Sequence, residues 1–135
     1  MANVARVGEW WIARTQWSDV TAQGASLEQA VDRLREAALL RQAPVPREQV
    51  VVAVEVVDRP FPTVGALRAS GAEVQRVLER AGFVLQGRTH RHVLLYEERT
   101  GARVVVPLEV ELAEPTLTDI LRRAALRRDE LRALL

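Results

Sequence analysis

Residues 58–69, Asp-Arg-Pro-Phe-Pro-Thr-Val-Gly-Ala-Leu-Arg-Ala, hold two prolines and one glycine and follow neither helical nor strand periodicity. Proline lacks the backbone donor that helices and ladders need, so this stretch reads as a linker. It divides the 135-residue chain into residues 1–57 and residues 70–135. A unit of roughly 60 residues buries only about 60% of the surface its unfolded chain exposes, so each half is marginal alone and gains by packing on the other. Extended, the linker reaches roughly 40 Å. That permits docking within one chain or exchange between two chains as a homodimer.

In the first half, residues 10–14 (Trp-Trp-Ile-Ala-Arg) and 18–22 (Ser-Asp-Val-Thr-Ala) read as strands around a turn near Trp17. Gly24 ends the second strand. Ser26 opens a helix with a capping box, its hydroxyl accepting from the Gln29 amide. Leu27, Ala30, Val31, Leu34 and Ala38 then form one apolar stripe, and the helix ends before Pro44 and Pro46. The valine-rich residues 49–57 favour a strand covered on most of both faces. The unit reads β-β-α-β, with room for a short further strand near residues 3–7.

The second half reads α-β-β-β-α. Ser70 and Glu73 form another capping box. Val74, Val77, Leu78 and Ala81 make the stripe of that helix, and Gly82 is placed as its left-handed stop. Strand-like segments follow at 83–87, 91–97 and 102–107, the last two separated by Arg99-Thr100-Gly101. Pro115 and Thr116 open a final helix whose tail runs toward Leu135. The fold class is therefore α+β, built from two small modules.

Composition excludes several classes. All 19 basic residues are arginine, against 18 acidic ones. By halves the balance is eight to eight and eleven to ten, so neither half has the basic excess of a dedicated nucleic-acid-binding domain. With no cysteine and two histidines, disulfides and thiolate metal sites are ruled out and a zinc site is not expected. No metal or cofactor is called for. No apolar run approaches 18 residues and no apolar signal region opens the chain, so a soluble cytoplasmic protein is expected, with no membrane partner.

The stretch from Asp19 to Ala30 resembles the core signature of HicB antitoxins, in which a strand runs into Gly-x-Ser/Thr-x-x-Glu/Gln-Ala and an amphipathic helix. Gly24, Ser26, Gln29 and Ala30 carry the match. The resemblance covers about residues 9–57 and implies a partial ribonuclease-H-like fold without that enzyme's chemistry. The stretch from Ser70 to Phe83, with its Ala-Gly-Phe ending, resembles the first helix of HicA toxins. Val104 to Pro107 and Pro115 to Leu121 resemble that family's last strand and last helix, in the right order. This second resemblance covers about residues 70–127 and implies a fold like a double-stranded-RNA-binding domain. Together the two imply a fused toxin–antitoxin-like protein whose front module masks the RNA-facing sheet of the rear one. The antitoxin's usual DNA-binding segment has no counterpart here, so no autonomous DNA binding is implied.

HicA toxins are regarded as enzymes that cleave messenger RNA, with a strand histidine in a Gly-Ser-His context. The local sequence here is Gly87-Arg-Thr-His-Arg-His-Val93. Matching Ser to Thr89 puts the functional histidine at His90; matching by distance from Phe83 puts it at His92. The Thr89-His90 pairing is favoured, and both histidines are expected on one strand face. RNA cleavage needs the 2′-hydroxyl deprotonated and the leaving oxygen protonated, and imidazole can serve either step near neutral pH. Thr89 can orient the ring or contact phosphate, while Arg88 and Arg91 can neutralise phosphate. Two half-exposed strand histidines with no catalytic part are the plainer reading.

Three departures point toward a weakened toxin module. Arg88 replaces the glycine of the motif. Glu109 stands where the family often has a histidine after Pro107. Glu109, Glu111 and Glu114 make acidic a region that tends to be basic, and these acids repel RNA. Arg122, Arg123, Arg127 and Arg128 are the best basic patch, with Arg123 and Arg127 on one face at i and i+4 of the expected last helix, either for RNA backbone or as a solvated face. Adjacent Trp10 and Trp11 point to opposite sides of a strand; one belongs to its own core and the other is free to anchor a contact between modules. The alternatives to a masked ribonuclease are a non-catalytic interaction protein that keeps the folds, and a plain RNA-binding module.

Overall fold

A computed structural model of the chain describes residues 2–15, 20–41, 54–56 and 68–134. The expected turn at Trp17, most of the valine-rich strand and residues 58–67 of the linker lie outside the described residues.

The front elements are β1 (Ala2–Val7), β2 (Trp10–Thr15), β3 (Thr21–Gly24), α1 (Leu27–Arg41) and β4 (Val54–Val56). The sheet order is β3-β2-β1-β4. β1 and β2 pair antiparallel, as do β2 and β3, while β1 and β4 run parallel. The further strand near residues 3–7 is present as β1, and it lies inside the sheet between β2 and β4. Its Ala-Asn-Val-Ala-Arg-Val sequence is a weak strand signal by composition. A tight hairpin fixes it instead: Val7 pairs with Trp10 across Gly8, whose φ is +61°.

The turn into α1 requires glycine. A Cβ on Gly24 would stand 2.6 Å from the Ala30 backbone nitrogen. Ser26 Oγ accepts from the Gln29 amide at 3.2 Å, and Gln29 Oε1 accepts from the Ala25 amide at 3.0 Å. Ala30, Leu34 and Ala37 then pack on Val4, Ala13 and Ala22 of the sheet. Trp11 joins this core. Trp10 lies on the opposite face with Ala5, Ile12 and Ala113, the last from the rear half.

The rear elements are α2 (Gly71–Arg80), β5 (Val84–Arg88), β6 (His92–Tyr96), β7 (Arg103–Pro107), α3 (Glu114–Arg123) and α4 (Arg128–Leu134). The strands form an antiparallel sheet in the order β5-β6-β7. The Ser70–Glu73 capping box is present in full. The expected last helix is in fact two. α3 stops at Arg123, Ala125 takes a left-handed φ of +56°, and α4 starts afresh. Leu126 N–H donates back to Leu121 at 2.9 Å, which closes α3 in the manner of a left-handed cap.

β6 and β7 are apolar on both faces, a pattern that demands cover on both. Val93, Leu95, Val104 and Val106 face α2 and α3 and form the rear core with Leu78, Leu117 and Ile120. Leu94 and Val105 face the other way, into the core that α1 makes with the front sheet. The front helix is thus the second cover of the rear sheet, and the front core extends into it. Residues 108–113 complete the join. Gln23, fully buried on β3, donates from Nε2 to the Glu111 carbonyl at 2.9 Å and accepts at Oε1 from the Ala113 amide at 2.8 Å. On the opposite side, Gly71 and Ala69 bond the backbone of Glu109 and Leu112.

Candidate active site

β5 and β6 are joined by a tight turn with His90 and Arg91 at its tip. Thr89 N–H donates to the His92 carbonyl at 2.8 Å. The Thr89 hydroxyl accepts from the His92 amide at 3.1 Å and the Arg91 amide at 3.3 Å. Thr89 therefore braces the turn and touches backbone, not an imidazole. Arg88, His90 and Arg91 are all exposed around the tip.

The two histidines do not share a strand face as expected. His90 precedes β6 in the turn and is exposed, because a two-residue tip turns its side chain away from the sheet. His92 opens β6, pairs across the ladder with Pro107, and is fully buried. It lies on the face shared with Leu94, under α1.

Two α1 residues one turn apart contact this region. Glu36 Oε2 lies 2.7 Å from His92 Nδ1. Arg33 Nη1 reaches Glu109 Oε1 and also donates to the Gln23 carbonyl at 3.2 Å. Further along α1, Leu40 meets Gly87, where a Cβ would come within 3.2 Å of its methyl group. Glycine at 87 thus lets the end of α1 sit close to β5.

Burial pushes the His92 imidazole below its ordinary value, and this outweighs the opposing pull of Glu36; Arg33 and Arg91 depress it further. The ring is therefore neutral near pH 7. A neutral ring this close to a carboxylate donates from Nδ1, which leaves Nε2 as the bare, basic nitrogen. That Nε2 is buried and has no hydrogen-bond partner among the described residues. Chemically, the pair is a carboxylate holding an imidazole in one tautomer, the arrangement that serves general-base work when a substrate can reach the free nitrogen.

The expected basic patch is divided. Because α3 ends at Arg123, Arg123 and Arg127 do not share a helical face. Arg123 is turned into the contact between halves, donating to Thr21 Oγ1 at 3.0 Å beside the buried carboxylate of Asp119. Asp119 also accepts from Thr21 at 2.8 Å and pairs with Arg14 at 2.7 Å. Arg127 is exposed and paired with Glu130. Only Arg127 of the two faces solvent.

Sequence reasoning did not find Arg33, Glu36, Gln23 or Asp119, because each acts through a partner more than 50 residues away. Among the described residues no group of His, Cys, Asp or Glu is arranged to hold a metal, and no helix is long and apolar enough to cross a membrane.

The model of one protein family, described as the HicA toxin of bacterial toxin-antitoxin, matches residues 71–126. That span runs from the start of α2 to just past α3 and contains both histidines. Residues 71–126 are thus similar to the HicA toxin family. No curated protein matches the chain.

Proposed function

We propose that this chain is a self-covered toxin of the HicA kind: a potential RNA-cleaving domain whose histidine-bearing sheet face is closed by α1 of a HicB-like front half. One observation carries the reading. The full burial of His92 under α1, with Nδ1 held by Glu36, closes the one strand histidine of the HicA domain. His92 is the base in this reading. When α1 lifts, its free nitrogen takes the proton of a ribose 2′-hydroxyl. The 2′-oxygen then bonds to the adjacent phosphorus, the bond from phosphorus to the 5′-oxygen breaks, and that oxygen leaves with a proton returned by the His92 imidazolium through water. In this reading the exposed Arg88 and Arg91 hold the phosphate, and His90 between them is the second candidate for a proton-transfer role. Thr89 keeps the turn in shape.

A second reading keeps the folds and drops the reaction. It is favoured by Glu109, which follows soon after Pro107, the ladder partner of His92, and brings a carboxylate where phosphate would have to pass.

The test is expression of the full chain carrying Arg33→Ala with Leu40→Arg, which loosens α1 and leaves both histidines and Glu36 in place. Growth arrest with RNA breakdown, abolished by adding His92→Ala, supports the masked ribonuclease. Loss through His90→Ala alone moves the role to His90. A loosened chain that is harmless and leaves RNA intact overturns the enzyme and leaves the interaction protein.

A further inference from the structure

We propose that Arg33 and Glu36 are the specificity-determining pair of the contact between the halves, a two-point charge code that decides which sheet α1 will cover and in which direction. The inference rests on the covering role proposed above, but not on any catalytic activity. Arg33 and Glu36 stand at i and i+3 of α1, on one face of the helix. They carry opposite charges, and the groups they meet also differ. The cation meets the carboxylate of Glu109, just beyond β7; the carboxylate meets the imidazole of His92, at the start of β6.

The pattern has a direction. Turning α1 end for end on the sheet would set Glu36 against Glu109 and Arg33 against His92. The first is a like-charge contact, and the second removes the acceptor from Nδ1 of a buried ring. Apolar packing through Leu34 and Ala37 does not distinguish the two directions so sharply, because such burial is non-directional.

Arg33 is also organised in advance. The Gln23 carbonyl of its own half holds its guanidinium, which is only 16% exposed. A guanidinium held by a carbonyl of its own half is a selective receiver: it takes a carboxylate and rejects a cation. Gln23 in turn clamps Glu111 and Ala113, so the stretch carrying Glu109 is fixed by the same front-half residue that orients Arg33. A HicA-type sheet with a basic side chain at the place of Glu109 would therefore be refused by this front half.

The experiment labels histidines in the full chain with diethyl pyrocarbonate and reads each site by mass spectrometry. His90 is exposed and serves as the internal reference; His92 reports cover. In the native chain His92 is expected to react far more slowly than His90. Arg33→Glu and Glu109→Arg should each speed His92 labelling about ten-fold or more, and Arg33→Glu with Glu109→Arg together should bring it back to within about two-fold of native. Hydrogen exchange in α2 and α3 identifies any variant that has unfolded rather than opened. Glu109→Gln, which keeps an acceptor and removes only the charge, supplies a milder single change that should still raise labelling. Single variants that leave His92 protected, or a swap that labels as fast as the two changes combined, overturn the code. Restored protection in the swap, with no RNA cleavage by the opened single variants, upholds the code and defeats the ribonuclease reading.

Discussion

Asp119 on α3 and Arg14 on β2 form a 2.7 Å ion pair between residues 105 positions apart, with the carboxylate almost wholly removed from solvent. Thr21 adds a 2.8 Å hydrogen bond to the same oxygen. Truncating the acid removes the carboxylate that the partly buried guanidinium groups of Arg14 and Arg123 share. Asp119→Ala is expected to cost about 3–5 kcal/mol, the range for breaking a buried pair from one side. Asp119→Asn should cost less, because it keeps an acceptor for Thr21. Chemical denaturation of both variants checks the order; equal stability of Asp119→Ala and the native chain contradicts it.

The depressed titration of His92 makes stability depend on pH. The unfolded imidazole takes a proton near its ordinary value of 6.5, and the folded ring only at lower pH. Between those values the unfolded state binds more protons, so stability rises with pH through that window and falls as pH drops below about 6.5. The urea midpoint should decline from pH 7.5 to pH 5.5 in the native chain and decline less in His92→Gln. His90→Gln, altering an exposed ring, should track the native chain. A native midpoint flat over this range removes the argument.

Gly71 is needed for space rather than for an unusual backbone angle. A Cβ there would stand 1.9 Å from the Pro107 carbonyl oxygen, a backbone atom that cannot swing aside. Gly71→Ala is expected to cost about 2–3 kcal/mol, toward the upper end for overpacking. In Ala72→Gly, on the exposed face of the same helix, the change should be only about 1 kcal/mol, from propensity. Comparing the two by thermal or urea unfolding isolates the collision.

Gln23 satisfies two backbone groups that no helix or ladder serves. Gln23→Leu keeps the bulk but strands the Glu111 carbonyl and the Ala113 amide. At about 1–3 kcal/mol for each group left without a partner, the loss should total about 2–6 kcal/mol. Hydrogen exchange at Ala113 should accelerate even where the global fold survives; an unchanged rate there would show that the clamp is idle.

Local chemistry was readable because it needs no partner. The capping boxes at Ser26 and Ser70, the stop at Gly82 and the apolar stripes of α1 and α2 all depend on residues within one or two turns. Residues that act across the chain were not readable in that way. A glutamine in a short strand, an aspartate in a helix and an Arg-Glu pair on a helix flank look like ordinary polar positions until the opposite element is placed. His90 and His92 were put on a shared face because strand alternation was extended into what is a two-residue turn. Arg123 and Arg127 were joined by a helical spacing that Ala125 interrupts. One signal does lie in the sequence: Val93-Leu94-Leu95 and Val104-Val105-Val106 are apolar without alternation. Such runs announce that two helices on one side of the sheet are not enough.

The double cover of β6 and β7 also sets an order of events during synthesis. The ribosome releases α1 before either strand exists, and early segments begin to fold while later ones are still being made. By the time Leu94 and Val105 emerge, the helix that will lie over them has already been translated. The face that carries His92 therefore has its shield waiting at birth, without a search for a separately made molecule.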